Sequence, residues 1–106
     1  MMQRGEIWWA DLPLSAGHRP VLLLSRDEAY AIRSFIIMSP ITTRRRGLNT
    51  EVILGPDDGL PRASVVNLDV IISERKGCLV EGIGNLNSAH LAAVDDAICF
   101  ALGMEV

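Results

Sequence analysis

Val21-Leu22-Leu23-Leu24-Ser25 is an unbroken apolar run, too short for most helices. Such a run reads as a strand buried on both faces, so the sequence around it must supply cover on two sides. Upstream, Glu6-Ile7-Trp8-Trp9-Ala10-Asp11-Leu12 has strand composition, bounded by Gly5 and Pro13, and Pro13 to Pro20 reads as a loop. Downstream, Asp27 to Ile32 can form one or two helical turns with Ser25 or Asp27 as cap, and Ser34-Phe35-Ile36-Ile37-Met38-Ser39 returns to strand composition until Pro40 closes it. Glu51 to Leu54 makes a short strand, and Gly55-Pro56-Asp57-Asp58-Gly59-Leu60-Pro61 carries turn chemistry. Ser64 to Ile72 is the longest strand candidate and Leu79 to Gly84 a weaker last one.

The period then changes. Leu91, Val94, Ile98 and Leu102 recur at three- and four-residue spacing, which marks one face of a helix, with Asn87 or Ser88 as cap and Gly103 at its end. Short strands punctuated by turns, followed by a terminal helix, predict a mainly β fold. The expected form is a small, strongly curved antiparallel sheet or barrel of five to seven strands with the helix packed on it, in one domain spanning residues 1–106.

A formal charge of -3 argues against a protein that is basic over its whole surface, but a local basic stripe suffices for nucleic acid. Such a cluster exists at Arg44-Arg45-Arg46, and it reads either as an RNA-backbone patch or as a solvated loop. Lys76 is the one lysine among ten basic residues. That bias suits bidentate recognition of phosphate, and a GC-rich genome would produce it equally. Cys78 and Cys99 are far apart and belong to no CxxC pair, so both read as small hydrophobes. No apolar run approaches a membrane span and no signal-like segment opens the chain, which leads us to expect a cytoplasmic protein. Trp8 and Trp9 should face opposite sides of their strand, one in the core and one partly exposed, and His90 and Asp57-Asp58 read as structural.

Taken in order, Arg4-Gly5-Glu6-Ile7-Trp8-Trp9-Ala10-Asp11-Leu12, Arg19-Pro20-Val21-Leu22-Leu23-Leu24-Ser25, Ser39-Pro40-Ile41-Thr42, Ser64-Val65-Val66-Asn67-Leu68-Asp69 and Ile83-Gly84-Asn85-Leu86 resemble the MazF/PemK toxins. These are small endoribonucleases inhibited by a cognate antitoxin. The resemblance runs along nearly the whole chain. It implies an SH3-like barrel of the CcdB/PemK type, a homodimer holding single-stranded RNA across a concave surface, a MazE-like antitoxin, and operator DNA bound only through that antitoxin. It also implies cleavage by attack of a ribose 2′-hydroxyl on the adjacent phosphate, with Arg19 and Thr42 in the catalytic positions. The loop Pro13-Leu14-Ser15-Ala16-Gly17-His18 is shorter than in many members. Where one branch of the family carries an arginine and an aspartate on a late strand, this chain has Asn67 and Asp69.

The residues fit that chemistry in part. Internal attack requires loss of the 2′ proton, stabilisation of charge on the phosphoryl oxygens and a proton for the departing 5′ oxygen. No metal or other cofactor is needed. Arg19 offers a fixed fork for two phosphate oxygens but stays protonated and is a poor base. Thr42 can donate a hydrogen bond or orient the nucleophile. For the base, histidine is the usual residue type, which points to His18, and Asp69 is the other candidate. Two competing functions remain at this stage: a CcdB-like poison that binds DNA gyrase without cutting RNA, and a degenerate member that only binds antitoxin or operator.

Overall fold

The computed structural model describes residues 2–13 and 17–105. Among these residues there are seven strands and two α-helices: β1 (Glu6–Leu12), β2 (Gly17–Leu23), α1 (Ala29–Ile32), β3 (Phe35–Thr42), β4 (Glu51–Leu54), β5 (Ser64–Asn67), β6 (Ile72–Arg75), β7 (Leu79–Asn85) and α2 (Ser88–Leu102). The strands form one curled antiparallel sheet in the order β4-β5-β3-β2-β1-β7, with β6 pairing to β3 off this path.

The apolar run is buried on both faces, as its composition requires. Val21, Leu22 and Leu23 are all fully inaccessible. Leu22 and Leu24 belong to one core with Ile7, Ile41, Val66 and, from α2, Val94 and Ala97. Val21 and Leu23 point the other way, into a second core with Ala10, Leu12, Tyr30, Ile36 and Met38. Helix α2 therefore covers one side of the sheet, and the sheet's own curl with Tyr30 of α1 covers the other. Each large aliphatic side chain so buried contributes about 1.5–3 kcal/mol, which makes this central strand the main anchor of a domain too small for a single thick core. Arg4 braces the two ends of the chain: its backbone N–H donates to Asp27 Oδ1 at 2.7 Å and its guanidinium to Asp95 Oδ1 of α2 at 2.6 Å.

Five sequence expectations are corrected. Pro40 does not close the third strand: β3 runs on to Thr42, because Pro40 still pairs with Val21 of β2 and Ile41 and Thr42 pair with β5. The strand containing the apolar run begins at Gly17, so His18, Arg19 and Pro20 lie in β2 and not in a loop. Over residues 17–20 the strand pairs with β1, while β3 joins only from Val21, and a proline is tolerated along such a free edge. The candidate strand Ser64 to Ile72 is two strands. Asn67 Oδ1 accepts from the Asp69 N–H at 3.0 Å, turning the chain, and β5 and β6 then pair with opposite ends of β3. Ser39, fully buried on β3, holds that corner by directing its hydroxyl at the carbonyls of Val70 (2.7 Å) and Asn67 (3.2 Å). Neither Ser25 nor Asp27 caps α1, which starts from Glu28 without a side-chain cap. Instead Ser25 Oγ accepts from the Ile37 N–H and Asp27 is taken by Arg4.

Helix α2 begins as expected, with the Asn87 side chain accepting from the His90 N–H at 2.7 Å, and ends at left-handed Gly103. Its buried face is Val94 and Ala97 with Leu91 and Ile98 beside them. Leu102, the last correction, is exposed because Ala101 and not Leu102 continues the Leu91, Val94 and Ile98 face onto the core. The turn at Pro56–Asp58 is fixed from inside: buried Asp58 accepts from the Gly55 N–H (3.0 Å) and pairs with His90 Nδ1 (2.7 Å). Gly84 lies so close to this turn that a Cβ there would run into the Asp58 carbonyl oxygen, which accounts for the glycine in the Ile83-Gly84-Asn85-Leu86 stretch.

Candidate active site

The antiparallel register of β2 and β3 pairs Val21 with Pro40, Leu22 with Ser39 and Leu23 with Met38. Continued two residues beyond its last pair, that register sets Arg19 opposite Thr42. By the alternation of strand side chains, Arg19 shares a face with Val21 and Leu23, and Thr42 shares it with Pro40 and Met38. Pro20 and Pro40 carry no N–H, the pairing stops beside them, and an open cleft of about 360 Å³ lies at that end of the sheet. Its walls are Arg19, Pro40, Thr42, Arg44, Arg46, Glu51, Asn67 and Val70.

Three of the wall residues have a traceable support. Thr42 Oγ1 accepts from the Arg44 N–H at 3.2 Å, which leaves the hydroxyl proton to be donated into the cleft. Asn67 Oδ1 accepts from Thr50 Oγ1 (2.8 Å) and from the Asp69 N–H, so the carbonyl side of the amide is engaged and its NH₂ group is the available donor. Glu51, at the start of β4, turns its carboxylate into the backbone of the preceding loop. It accepts from the N–H of Arg46 (3.1 and 3.2 Å), Gly47 (2.8 Å) and Leu48 (3.1 Å). Desolvation alone would raise the pKa of this carboxyl. The backbone hydrogen bonds and the charge of Arg45 outweigh that effect and hold it below the usual carboxylate range.

The structure brings together some of the sequence candidates and separates others. Arg19, Thr42, Arg44 and Arg46 meet in the cleft, whereas Arg45 is not among its walls. His18 points to the opposite face of β2 from Arg19, since the two are adjacent in the strand. There it stacks on Trp9 at 4.9 Å between ring centroids and pairs with Asp11 Oδ1 at 2.6 Å. Asp69 is drawn toward Thr50, whose hydroxyl lies 3.1 Å from Oδ2, and the cleft is lined by its neighbours Asn67 and Val70. Neither proposed proton acceptor therefore lines the cleft. Trp8 and Trp9 are both half-buried; Trp8 packs against the second core and donates to Glu6 Oε1. The short-loop reading falls largely on residues 14–16, outside the described residues.

Glu51 was missed by sequence reasoning, in which it was only the first residue of a strand. Among the described residues no group of three or more His, Cys, Asp or Glu side chains converges as a metal site would require, and no helix is long and apolar enough to cross a membrane.

The family described as the PemK-like, MazF-like toxin of type II toxin-antitoxin systems matches residues 3–102. The chain belongs to that family. It is 41% identical over 104 residues to a Mycobacterium tuberculosis protein named probable endoribonuclease MazF5, covering 97% of this chain and 91% of that one. It is 30% identical to the endoribonuclease MazF1 of Mycobacterium bovis over 95% of this chain and 92% of the relative. Among solved structures, the M. tuberculosis toxin MazF-mt6 superposes with a TM-score of 0.88 at 33% identity, covering 95% of this chain and 99% of that chain. A mycobacterial endoribonuclease in complex with its cognate antitoxin superposes equally well, with a TM-score of 0.88 at 28% identity, over 100% of this chain and 99% of that one. The mainly β fold with its C-terminal helix is thus the fold of the MazF toxins.

Proposed function

We propose that this MazF-family toxin cuts single-stranded RNA in the Arg19–Thr42 cleft by internal attack of a ribose 2′-hydroxyl. The observation that carries the reading is the convergence of three guanidinium-bearing residues, a threonine hydroxyl and an asparagine amide on one cleft. Toward a phosphate all five act as cations or hydrogen-bond donors, which is the polarity a phosphodiester requires. The relatives named as endoribonucleases support the same activity and disfavour a gyrase-binding poison.

In this mechanism the 2′ oxygen bonds to phosphorus, the bond from phosphorus to the 5′ oxygen breaks, and the products are a 2′,3′-cyclic phosphate and a 5′-hydroxyl. Arg19 holds two phosphoryl oxygens and offsets the charge that builds on them. Thr42 donates to the same group, and Arg44, Arg46 and Asn67 fix the strand. Glu51 is the one carboxylate in the wall, and its oxygens are already committed to three backbone amides, so it is no base. The proton from the 2′-hydroxyl passes to water, water delivers one to the departing 5′ oxygen, and catalysis relies on positioning and charge stabilisation; alignment of an intramolecular nucleophile is itself worth several kcal/mol.

The toxin works in the cytoplasm as a homodimer and is silenced by an antitoxin whose acidic segment covers the arginines. Phe35 and Ile37, exposed on one face of β3, support a partner copy. Incubating the purified protein with a long RNA in EDTA and mapping the ends tests the activity. Fragments with 5′-hydroxyl ends are expected, and intact RNA across many sequences would overturn it.

A further inference from the structure

Glu51 presents a conflict of sign. A carboxylate in the wall of a phosphate-binding cleft ought to repel the substrate, yet this one shares that wall with Arg44, Arg46 and Asn67. Its geometry resolves the conflict. Three successive amides, those of Arg46, Gly47 and Leu48, converge on it, and Gly47 sits at φ +74, the left-handed conformation that turns consecutive N–H groups to one side. Backbone of this kind is a concave anion site. Here the protein's own carboxylate fills it, and the Glu51 N–H returns a bond to the Leu48 carbonyl at 3.1 Å, closing the loop on itself. The adjacent Thr50 is buried and tied to Asn67 and Asp69, so the base of the loop is fixed to the β5 corner as well. At the other end the Arg44 N–H is held by Thr42.

We propose that Glu51 is a positioning residue for RNA: by occupying the amide concavity it holds the 44–48 loop in the one shape that turns Arg44 and Arg46 into the cleft. This deepens the RNA-cutting reading and rests on it for the identity of the ligand. Arg19 and Thr42 are carried by β2 and β3, and the loop reaches this pair only at its first residue, where the Arg44 N–H donates to Thr42 Oγ1. Loss of the carboxylate therefore weakens substrate binding and spares the chemical step.

The test compares the wild type with Glu51→Gln, Glu51→Ala and Glu51→Asp. One measurement is steady-state cleavage of a single-stranded RNA oligonucleotide; a second is binding of a 2′-O-methyl version that cannot be cut. Glu51→Gln removes the charge and sets an NH₂ group against backbone donors. We expect KM and the binding constant to rise about tenfold, the order set by two weakened phosphate contacts at moderate salt, with kcat within about twofold. Glu51→Asp recovers part of the loss. If Glu51 were merely a repelling charge, Glu51→Gln and Glu51→Ala would bind RNA more tightly, and that result overturns the proposal. Unchanged binding overturns it too, as does an equal fall in kcat and binding that tracks a lost folded fraction by circular dichroism. A wild type that binds the uncut oligonucleotide but cleaves nothing contradicts the activity reading alone, because the binding comparison still decides the role of Glu51.

Discussion

Neutralising the arginines one at a time separates a phosphate-binding wall from a merely basic loop. Arg44 and Arg46 line the cleft and Arg45 does not, although all three are exposed on the same short loop. Each phosphate contact to a single strand contributes about 0.7 to the slope of log affinity against log salt. Replacing either Arg44 or Arg46 by alanine should lower the slope by about 0.7, and replacing both by about 1.4. Between roughly 0.05 and 0.2 M salt, the double variant should then lose about sevenfold less affinity than the wild type does. Fluorescence anisotropy of a labelled 2′-O-methyl oligonucleotide reads this without cleavage. Arg45→Ala carries the same change in net charge and serves as the internal control, with a slope within about 0.2 of the wild type on the same scale. Equal slope changes for all three single variants would show that the loop acts as a diffuse charge, and the cleft geometry would have no bearing on binding.

Ser39→Ala removes a buried hydroxyl that faces two carbonyls at the β5–β6 corner, and should cost about 1–2 kcal/mol in urea unfolding; an unchanged midpoint would contradict the role given to it. Gly84→Ala presses a methyl group on backbone that cannot yield. It should cost about 1–3 kcal/mol, seen as a fall of several degrees in Tm, and a Tm equal to the wild type would refute the close approach. The Glu51 carboxyl is held below its ordinary value of 4.5, so its contribution is present above that pH and lost as pH falls through the lowered value. The amide proton shifts of Arg46, Gly47 and Leu48 should therefore titrate together with a midpoint below 4.5, and a midpoint above it would mean that the backbone bonds do not govern the group.

The parts of the fold legible in the sequence are those fixed by local pattern. The doubly buried run at Val21–Leu24, the β4 strand and the Asn87-capped helix depend on composition and on chemistry within a few residues. Where the reading went astray, contacts distant in sequence had the larger part. Ser64 to Ile72 has continuous strand composition; the Asn67 side chain turns it by accepting from the Asp69 N–H, and Ser39, about thirty positions upstream, fixes the corner through the Asn67 and Val70 carbonyls. Residues 17–20 look like loop because of Gly17 and Pro20, yet pairing with β1 draws them into a strand. The site shows the same division. Arg19 and Thr42 were found because they sit in recognisable stretches of sequence, and the register of β2 and β3 sets them face to face. His18 reads as a candidate base from its residue type and its place beside Arg19, but adjacency to Arg19 in a strand sends it to the other face. Glu51 carried no signal beyond its place at the start of an apolar stretch, since its role depends on how the loop before it bends back.

The central claim is that the cleft uses the substrate's own 2′-hydroxyl as nucleophile. A single 2′-deoxy substitution at a mapped cut site, in an otherwise unchanged RNA and in the presence of EDTA, tests it most directly. The account predicts that cutting at that linkage stops while neighbouring sites and binding are unaffected. It also predicts that Arg19→Ala slows cutting of the unmodified RNA by about 10²- to 10³-fold. Cleavage that persists at the deoxy linkage would contradict the mechanism.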